Sequence, residues 1–270
     1  MGQALTTLPR RGFGETSRTD LWWLKPLLVF LGLSAFIVYS TWAALQNAHF
    51  EYEGYLSPMY SPLFFSPEGI ESHHALFESL PGWWPAWLPL FPAFLILWAP
   101  GGFRFTCYYY RGAYYKSFWG SPVNCSVGKA QKGYRGEKLF PLVFQNLHRF
   151  FLYFALIFLL ILSYDVYRGM FFSDGAGGTE FGIGVGTLVL ALNVILLGGY
   201  TLGCHSLRHL VGGRLNILSR KPARLKAWQG VTWCNVRHQL FAWLSLFWVG
   251  FTDFYVRMCS MGVWPDVRIL

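Results

Sequence analysis

The feature that most constrains this chain is a set of five long apolar segments separated by polar loops. A helix that crosses a bilayer needs about 20 mostly apolar residues, and each segment meets or approaches that length. Only 13% of the residues are charged, against about a quarter in soluble proteins. The sequence therefore predicts an all-α membrane protein whose residues 1–270 form one domain, a bundle of five transmembrane helices. The predicted helices lie at about 26–45, 83–103, 142–164, 181–207 and 239–257.

Charged residues are distributed unevenly among the loops. The loop at 104–149 has eight basic residues and one acidic residue, and the loop at 208–238 has seven basic residues and none that is acidic. The loop after the first predicted helix has five glutamates and no Lys or Arg. Because Lys and Arg concentrate on the cytoplasmic side, this bias predicts a cytoplasmic N-terminus and an outer C-terminus. The bias also accounts for the net charge of +9, which favours anionic membrane lipid as a partner and does not call for nucleic acid.

Cysteine and histidine residues gather on the predicted cytoplasmic side, near helix ends or in the loops there. Thiolates and imidazoles at one depth are the ligand types of an iron–sulfur, haem or zinc centre. Such a centre would make the protein an electron carrier. The eight candidates are Cys107, Cys125, Cys204, Cys234, His148, His205, His209 and His238.

Three chemistries compete for these residues. Zinc sites favour short C-x₂₋₄-C spacings, which the sequence lacks. A pair of haems needs axial histidines inside the bundle, yet the first two predicted helices have none in their apolar spans. A Rieske [2Fe–2S] centre with two Cys and two His fits the residue types, although the usual Cys-x-His and Cys-x-x-His pairs are missing. The residues alone also leave open a scaffold or transporter whose Cys and His are structural or bind zinc.

Several motifs from residue 104 onward carry a resemblance to one family. They are RFTCYYYRGAYYK at 104–116, QNLHR at 145–149, CHSLRHLVGG at 204–213, RH at 237–238 and FWVGFTD at 247–253. From about residue 83 onward, the chain resembles the single five-helix membrane-anchor subunit of succinate dehydrogenase, respiratory complex II, of the mycobacterial Sdh1-like type. The tyrosine-rich stretch with its cysteine is the most specific part.

The resemblance implies a multi-pass subunit of the cell membrane that does not itself oxidise succinate and carries the quinone site of the enzyme. Its implied partners are a flavoprotein with FAD and an iron–sulfur subunit on the cytoplasmic side. Electrons would pass to menaquinone or ubiquinone through a Rieske-type [2Fe–2S] cluster in this chain, with haem b as the alternative relay. The resemblance does not identify the ligands. We predict Cys107 and Cys125, from the stretch nearest the expected partner, and His209 and His238, at facing helix ends, with His205 and His148 in reserve.

Quinone reduction also needs hydrogen-bond donors for the carbonyl oxygens. The predicted quinone contacts are His148, Arg149, Tyr108 and Arg208. Each has a simpler role open to it, because arginines reach lipid phosphates and tyrosines line membrane interfaces. Near the end of the last predicted helix, Asp253 could serve a proton path. Its spacing of four from Arg257 instead predicts an ion pair.

Overall fold

The computed structural model describes residues 12–77, 80–85, 87–120, 123–128, 138–140, 142–175 and 177–270. Within these ranges the protein is helical, as predicted, with two small antiparallel hairpins. The helices are α1 (Leu24–Gln46), α2 (Pro92–Thr106), α3 (Tyr108–Phe118), α4 (His148–Arg168), α5 (Val185–Leu202), α6 (His205–Gly212), α7 (Pro222–Val236) and α8 (His238–Ser260). The strands are β1 (Glu51–Tyr52), β2 (Tyr55–Leu56), β3 (Phe171–Ser173) and β4 (Thr179–Phe181). Short 3₁₀ turns cover Leu142–Leu147 and Leu218–Arg220.

The prediction of five transmembrane helices is wrong. In the described part of the chain, three helical segments are long and apolar enough to cross a membrane: Leu24–Gln46, Leu142–Arg168 and Val185–Leu202. The second of these joins a 3₁₀ turn to α4. The predicted orientation, with a cytoplasmic N-terminus and an outer C-terminus, was deduced from five spans. It loses its basis because the described residues contain three candidate spans.

The two remaining predicted spans fail for different reasons. The segment predicted at 83–103 becomes helical only at Pro92, which leaves α2 with 15 residues, about 22 Å of helix. Prolines at 85 and 89 account for the late start, because a proline inside a helix removes a backbone hydrogen bond and clashes with the preceding turn. Helix α8 has 23 residues, but charged and polar side chains on it, among them Asp253 and Arg257, lower its mean hydropathy.

The chain divides into two compact units. The first unit comprises the described residues of 1–35 and 105–146. In it, the stretch before α1 runs along the segment 123–128, where Asn124 Nδ2 donates to the Trp22 carbonyl at 2.6 Å. Within the same unit, Phe30 of α1 packs on Phe118 at the end of α3, with ring centroids 4.8 Å apart. The prediction of one domain over 1–270 stays a prediction.

The second unit comprises residues 36–104 and 147–270. Its framework is the consecutive antiparallel helices α4 and α5, with α8 packed on α5. The segment after α1 folds back as the β1–β2 hairpin, and Phe50 stacks on Tyr60 with centroids 4.6 Å apart. This segment is buried against the end of α1 and the start of α2, and the residues that form the core there are Ala43, Ala44, Phe50, Leu56, Met59, Tyr60, Leu63 and Ala93.

Carboxylates collect at the end of the second unit where α4 and α8 finish and α5 begins. We call this region the carboxylate end, and its members are Asp165, Asp253 and Asp266. Asp253 is completely buried and accepts hydrogen bonds from Tyr39 Oη at 2.6 Å and from the Ser57 hydroxyl. Arg257 Nε lies 3.5 Å from its Oδ2, so the predicted Asp253–Arg257 pair is confirmed. Arg257 also donates to the Ala48 carbonyl at 2.7 Å.

Hydroxyl groups satisfy the other two carboxylates. Asp165 on α4 is buried and accepts a hydrogen bond from the Ser61 hydroxyl. Asp266, in the C-terminal segment, accepts from Tyr55 Oη at 2.8 Å and from Tyr255 Oη at 2.7 Å. Because a buried carboxylate is stable only when it is paired or hydrogen-bonded, these contacts hold the β1–β2 segment and the C-terminal segment against the helices.

Candidate functional site

Four aromatic rings from four helices form a connected group at the opposite end of the second unit. They are Phe103, His148, Tyr200 and His238, and we call them the ring cluster. Phe103 stacks on His148, with centroids 4.8 Å apart and an interplanar angle of 5°. Phe103 also meets the edge of Tyr200 at 5.4 Å, and Tyr200 stacks on His238 at 4.9 Å. The cluster therefore joins the end of α2, the start of α4, the last turns of α5 and the start of α8.

A cysteine contacts this cluster. Cys204 Sγ lies 3.1 Å from His148 Nε2, and the two residues are 1% and 4% exposed. Cys204 stands between α5 and α6 with an extended backbone, at φ −62° and ψ 135°. The break in the helix turns its side chain toward the first residue of α4. A thiol and an imidazole in buried contact are two ligand types of a Rieske-type centre.

The glycine before this cysteine lets a neighbouring helix approach closely. A Cβ atom on Gly203 would lie 2.9 Å from the Cys234 carbonyl oxygen and 2.8 Å from that of Gly199. The side chain of Asn235 donates to the Gly203 carbonyl at 2.7 Å. Helix α7 ends one residue after Asn235, so this contact ties the α5–α6 break to the α7–α8 break. Cys204 and His238 are therefore positioned by adjoining backbone segments.

A partly buried arginine, Arg104, lies next to the ring cluster. The guanidinium carbon of Arg104 lies 4.7 Å from the centroid of the Tyr200 ring. Its Nη2 donates to Ser245 Oγ at 2.9 Å, and its Nη1 donates to the Ala242 carbonyl at 3.3 Å. These contacts on α8 fix a permanent positive charge beside the ring cluster, since arginine stays protonated at all ordinary pH values.

An apolar cavity of about 180 Å³ begins at the ring cluster and extends between α2, α4 and α5. Most of its walls are Phe, Leu, Met and Pro side chains. The polar and aromatic groups at one end are Phe103, Arg104, Tyr200 and Thr201. An apolar pocket with a few polar groups at one end is the usual form of a small-molecule site.

In the first unit, Cys107 has a local geometry similar to that of Cys204. It precedes α3 with φ −64° and ψ 132° and is 2% exposed. One turn later, Arg111 Nη1 donates to Gln145 Oε1 at 2.7 Å, and its guanidinium lies over the ring of Tyr108 at 4.4 Å. Gln145 Nε2 in turn donates to Tyr114 Oη at 2.7 Å. Burial, together with the neighbouring Tyr115, raises the pKa of Tyr114.

The other predicted cysteine ligand has different surroundings. Cys125 is exposed, and its carbonyl oxygen accepts a hydrogen bond from Arg18 Nη1 at 3.0 Å. Arg18 is itself paired with Asp20. The structure thus places Cys125 in a surface segment tied to the N-terminal stretch.

The predicted histidine ligands also differ in burial. His238 belongs to the ring cluster, whereas His209 is exposed on α6. The prediction that His205 and His209 share a face is confirmed, because their Nε2 atoms lie 3.0 Å apart. Desolvation lowers the pKa of His205, and the neighbouring His209 and Arg208 lower it further. Within the described ranges, no group of three or more His, Cys, Asp and Glu side chains is arranged to hold a metal ion.

The four predicted quinone contacts have different local surroundings. His148 is in the ring cluster, and Arg149 beside it is exposed. Arg208 joins α6 to α7, because its Nε donates to Thr232 Oγ1 at 3.2 Å and its guanidinium lies over Trp228 at 4.8 Å. The fourth, Tyr108, is in the first unit, under Arg111.

Sequence reasoning missed three residues of this site and underrated a fourth. Cys204 was among the eight candidates but was not chosen as a ligand. The signal that favours it is the Gly-Cys pair at 203–204, since glycine often marks a helix end. Phe103 and Tyr200 gave no signal in a chain that is 20% aromatic. Arg104 does have a sequence signal, since it follows an apolar run and a cation in that position needs a partner.

Comparison with known proteins gives two matches over almost the whole chain. The family model described as actinobacterial succinate dehydrogenase subunit SdhC matches residues 24–262. A chain of the solved structure "Mycobacterium smegmatis Sdh1 complex in the apo form" is similar, with 40% sequence identity and a TM-score of 0.84, and the match covers 98% of this chain and 96% of that one. No curated protein matches the chain. Both matches include the ring cluster and α6.

Proposed function

Because the chain belongs to the family of actinobacterial succinate dehydrogenase SdhC subunits, and is therefore a membrane-anchor subunit of that enzyme, we propose that it passes electrons from succinate to a membrane quinone. Its partners are the flavoprotein and iron–sulfur subunits of the complex. The match of the family model over residues 24–262 carries this proposal. The scaffold and transporter alternatives lose their basis, since their only support was the unassigned Cys and His residues.

We propose that the relay within this chain is a Rieske-type [2Fe–2S] cluster and that Cys204 and His148 are two of its ligands. The support is their buried contact at 3.1 Å and the presence of His238 in the same ring cluster. Cys107 remains a ligand predicted from the sequence. The exposure of Cys125 and His209 argues against them, because a cluster that relays electrons inside a membrane subunit is shielded from water. When bound, such a cluster transfers one electron at a time.

The haem b alternative fits the second unit less well. Phe103 stacks on His148 and Tyr200 stacks on His238, and these two rings contact each other. One face of each imidazole is thus covered by an aromatic ring. A haem iron would bind an imidazole nitrogen along the plane of the ring, and at His148 that position is taken by Cys204 Sγ, 3.1 Å from Nε2.

We propose that the quinone ring enters the apolar cavity next to the ring cluster. The walls of the cavity suit an isoprenoid quinone, and Arg104 and Tyr200 supply N–H and O–H donors for a carbonyl oxygen. Reduction of a quinone to a quinol takes two electrons and two protons. The ring cluster has two imidazoles, His148 and His238, and imidazole is the side-chain type that passes protons near neutral pH. The predicted contacts Arg149, Tyr108 and Arg208 stay predictions.

The test is a Cys204→Ser substitution in the complex purified with its partner subunits. Quinone reduction should fall by at least about 10- to 100-fold, the range found even for residues that only support metal ligands. Succinate oxidation by an artificial acceptor at the flavoprotein should persist, and one iron–sulfur signal should disappear from the electron paramagnetic resonance spectrum.

Cys259→Ser is the matched control, since Cys259 is a buried thiol of the same unit that packs with Val189 and Tyr255. It should retain both the spectrum and quinone reduction. If Cys204→Ser kept full quinone reduction and an unchanged spectrum, the ligand assignment would be wrong. A separate variant, Ala155→Phe, fills the cavity and should raise the KM for quinone, whereas Ala155→Ser should not.

A further inference from the structure

Helix α6 presents two histidines to solvent from one face. His205 and His209 are both exposed, and their Nε2 atoms lie 3.0 Å apart. The rings are nearly perpendicular, with centroids 4.4 Å apart and an interplanar angle of 81°. Side chains four residues apart are neighbours on a helix, and two histidines at this spacing on one face are a known zinc-binding arrangement.

The separation of the two nitrogens matches the geometry of a shared metal ion. Zinc binds imidazole nitrogen at about 2.0–2.1 Å. Two such bonds at a right angle place the nitrogens about 2.9 Å apart, and at the tetrahedral angle about 3.4 Å apart. The observed 3.0 Å lies between these limits, so the two nitrogens have the spacing that a shared metal ion requires.

We propose that His205 and His209 form a surface site for a divalent transition-metal ion, with water completing the coordination. Imidazole ligands suit zinc, copper and nickel, whereas magnesium and calcium prefer oxygen, so the site should select the first group. The site is distinct from the relay, because Cys204 and His148 are buried and both histidines on α6 are exposed.

The nearest positive charge, Arg208, contacts helix α7. Arg208 precedes His209, but its Nε donates to Thr232 Oγ1 at 3.2 Å. Its guanidinium lies over the Trp228 ring on α7. These contacts hold the cation on the α7 side of α6. Its remaining field weakens binding of a divalent ion, and raising the ionic strength should reduce that effect.

The experiment uses the complex with its partner subunits, purified through a tag without histidine and with exposed thiols such as Cys125 alkylated. Equilibrium dialysis against Zn²⁺ alone should show one equivalent fewer bound to His205→Gln and to His209→Gln than to the wild-type complex. Each variant should lose that equivalent, since a two-point site needs both rings. His73→Gln, which removes a single exposed histidine of the second unit, should bind as much Zn²⁺ as the wild type.

A spectroscopic measurement on the unaltered complex decides the question without variants. One equivalent of Cu²⁺ alone should give an electron paramagnetic resonance spectrum with two coordinated imidazole nitrogens. A spectrum with one imidazole nitrogen, or equal Zn²⁺ stoichiometry in wild type and His209→Gln, would overturn the proposal and leave a simple hydrogen bond between the two rings.

Discussion

The two ends of the second unit bury polar side chains in different ways. At the carboxylate end, Asp253 receives two hydroxyl hydrogen bonds and an arginine. At the other end, the ring cluster contacts the thiol of Cys204, and the neighbouring cation, Arg104, makes hydrogen bonds to Ser245 and to a backbone carbonyl. One end is a network of hydroxyl–carboxylate hydrogen bonds between segments that includes one ion pair on α8, and the other is an aromatic group joined to a cavity.

Under the proposed function, the carboxylate end stabilises the fold and the ring cluster takes part in quinone reduction. A buried charge that loses its partner is destabilising by several kcal/mol, whereas a stacked aromatic pair contributes only about 0.5–1.5 kcal/mol beyond burial. We therefore expect changes at the carboxylate end to lower the stability of the complex and to lower activity only through the amount of folded protein. Changes at the ring cluster should lower quinone reduction with a smaller effect on stability.

The largest expected effect is that of Arg257→Met. This change leaves the fully buried Asp253 without its cation and frees the Ala48 carbonyl, so the complex should lose about 3–5 kcal/mol. Thermal unfolding of the assembled complex in nanodiscs measures the loss. Quinone reduction per folded complex should stay unchanged.

The control for this prediction is a second ion pair in the same unit. Arg268 and Glu180 are 38% and 53% exposed, and Arg268→Met should cost no more than about 1 kcal/mol. Equal losses of stability for the two substitutions would show that burial of Asp253 does not increase the cost of removing its cation. That result would contradict the stabilising role of the carboxylate end.

A smaller effect should come from acidification near the β1–β2 hairpin. His74 is 6% exposed, and burial, with the nearby cation of Arg168, lowers its pKa to about 4. In the unfolded chain its pKa is about 6.5, so between these values the unfolded state binds more protons. Titration of His74 therefore does not lower the free energy of unfolding above pH 6.5. As the pH drops toward 4, it should lower that free energy by up to about 3 kcal/mol.

Hydrogen exchange in segment 71–77, followed from pH 7 to pH 4.5, measures this local loss. His74→Gln removes the titrating group, so its exchange should depend less on pH than that of the wild type. His73→Gln is the matched control, because His73 is exposed and should leave the wild-type dependence intact. If the two variants behave alike, the pH effect originates elsewhere.

A third prediction tests the ring cluster through its backbone. In Gly203→Ala, the added Cβ would lie within 3.0 Å of the carbonyl oxygens of Gly199 and Cys234, so α7 and the start of α8 must move. Overpacking of this kind costs about 1–3 kcal/mol, but quinone reduction should fall more than the folded fraction does. Gly198→Ala, with no atom within 4 Å of its new methyl group, should retain activity. Proportional losses of activity and stability would contradict a positioning role for this break.

The helical part of the fold could be predicted where the apolar runs have no proline beyond the first helical turn. The runs near 26–45 and 142–164 gave α1 and α4 to within a few residues. The run at 83–103 is predicted as one span because most of its side chains are apolar, but its prolines prevent helix formation before Pro92. The run at 181–207 was read as one helix, and the structure divides it at Gly203 into α5 and α6. A window of average hydropathy does not detect a one-residue change in backbone angles.

The residue types of the candidate site could be predicted from the sequence, and its membership is where the sequence prediction and our proposal differ. The Cys and His residues pointed to one end of the helices, and the structure brings His148 and Cys204 into contact there. The predicted ligand set includes Cys125 and His209, which are exposed, whereas our proposal starts from Cys204 and His148. Burial separates these groups, and burial depends on tertiary packing. A single sequence gives no measure of that packing for a residue at a helix end.

The smallest expected effect concerns the contact between α6 and α7. Arg208→Gln removes the cation from the Trp228 ring, and such an interaction contributes about 0.5–1 kcal/mol at an exposed site. The change leaves Gly203 and Asn235 in place, so the ring cluster should keep its geometry and quinone reduction should fall by less than about threefold, the equivalent of 0.6 kcal/mol. Steady-state kinetics with quinone measure this directly, and Trp228→Leu should give a similar result because it removes the other partner. A loss as large as that of Gly203→Ala would place Arg208 at the quinone, as the sequence predicts, and would extend the functional end of the unit onto α6.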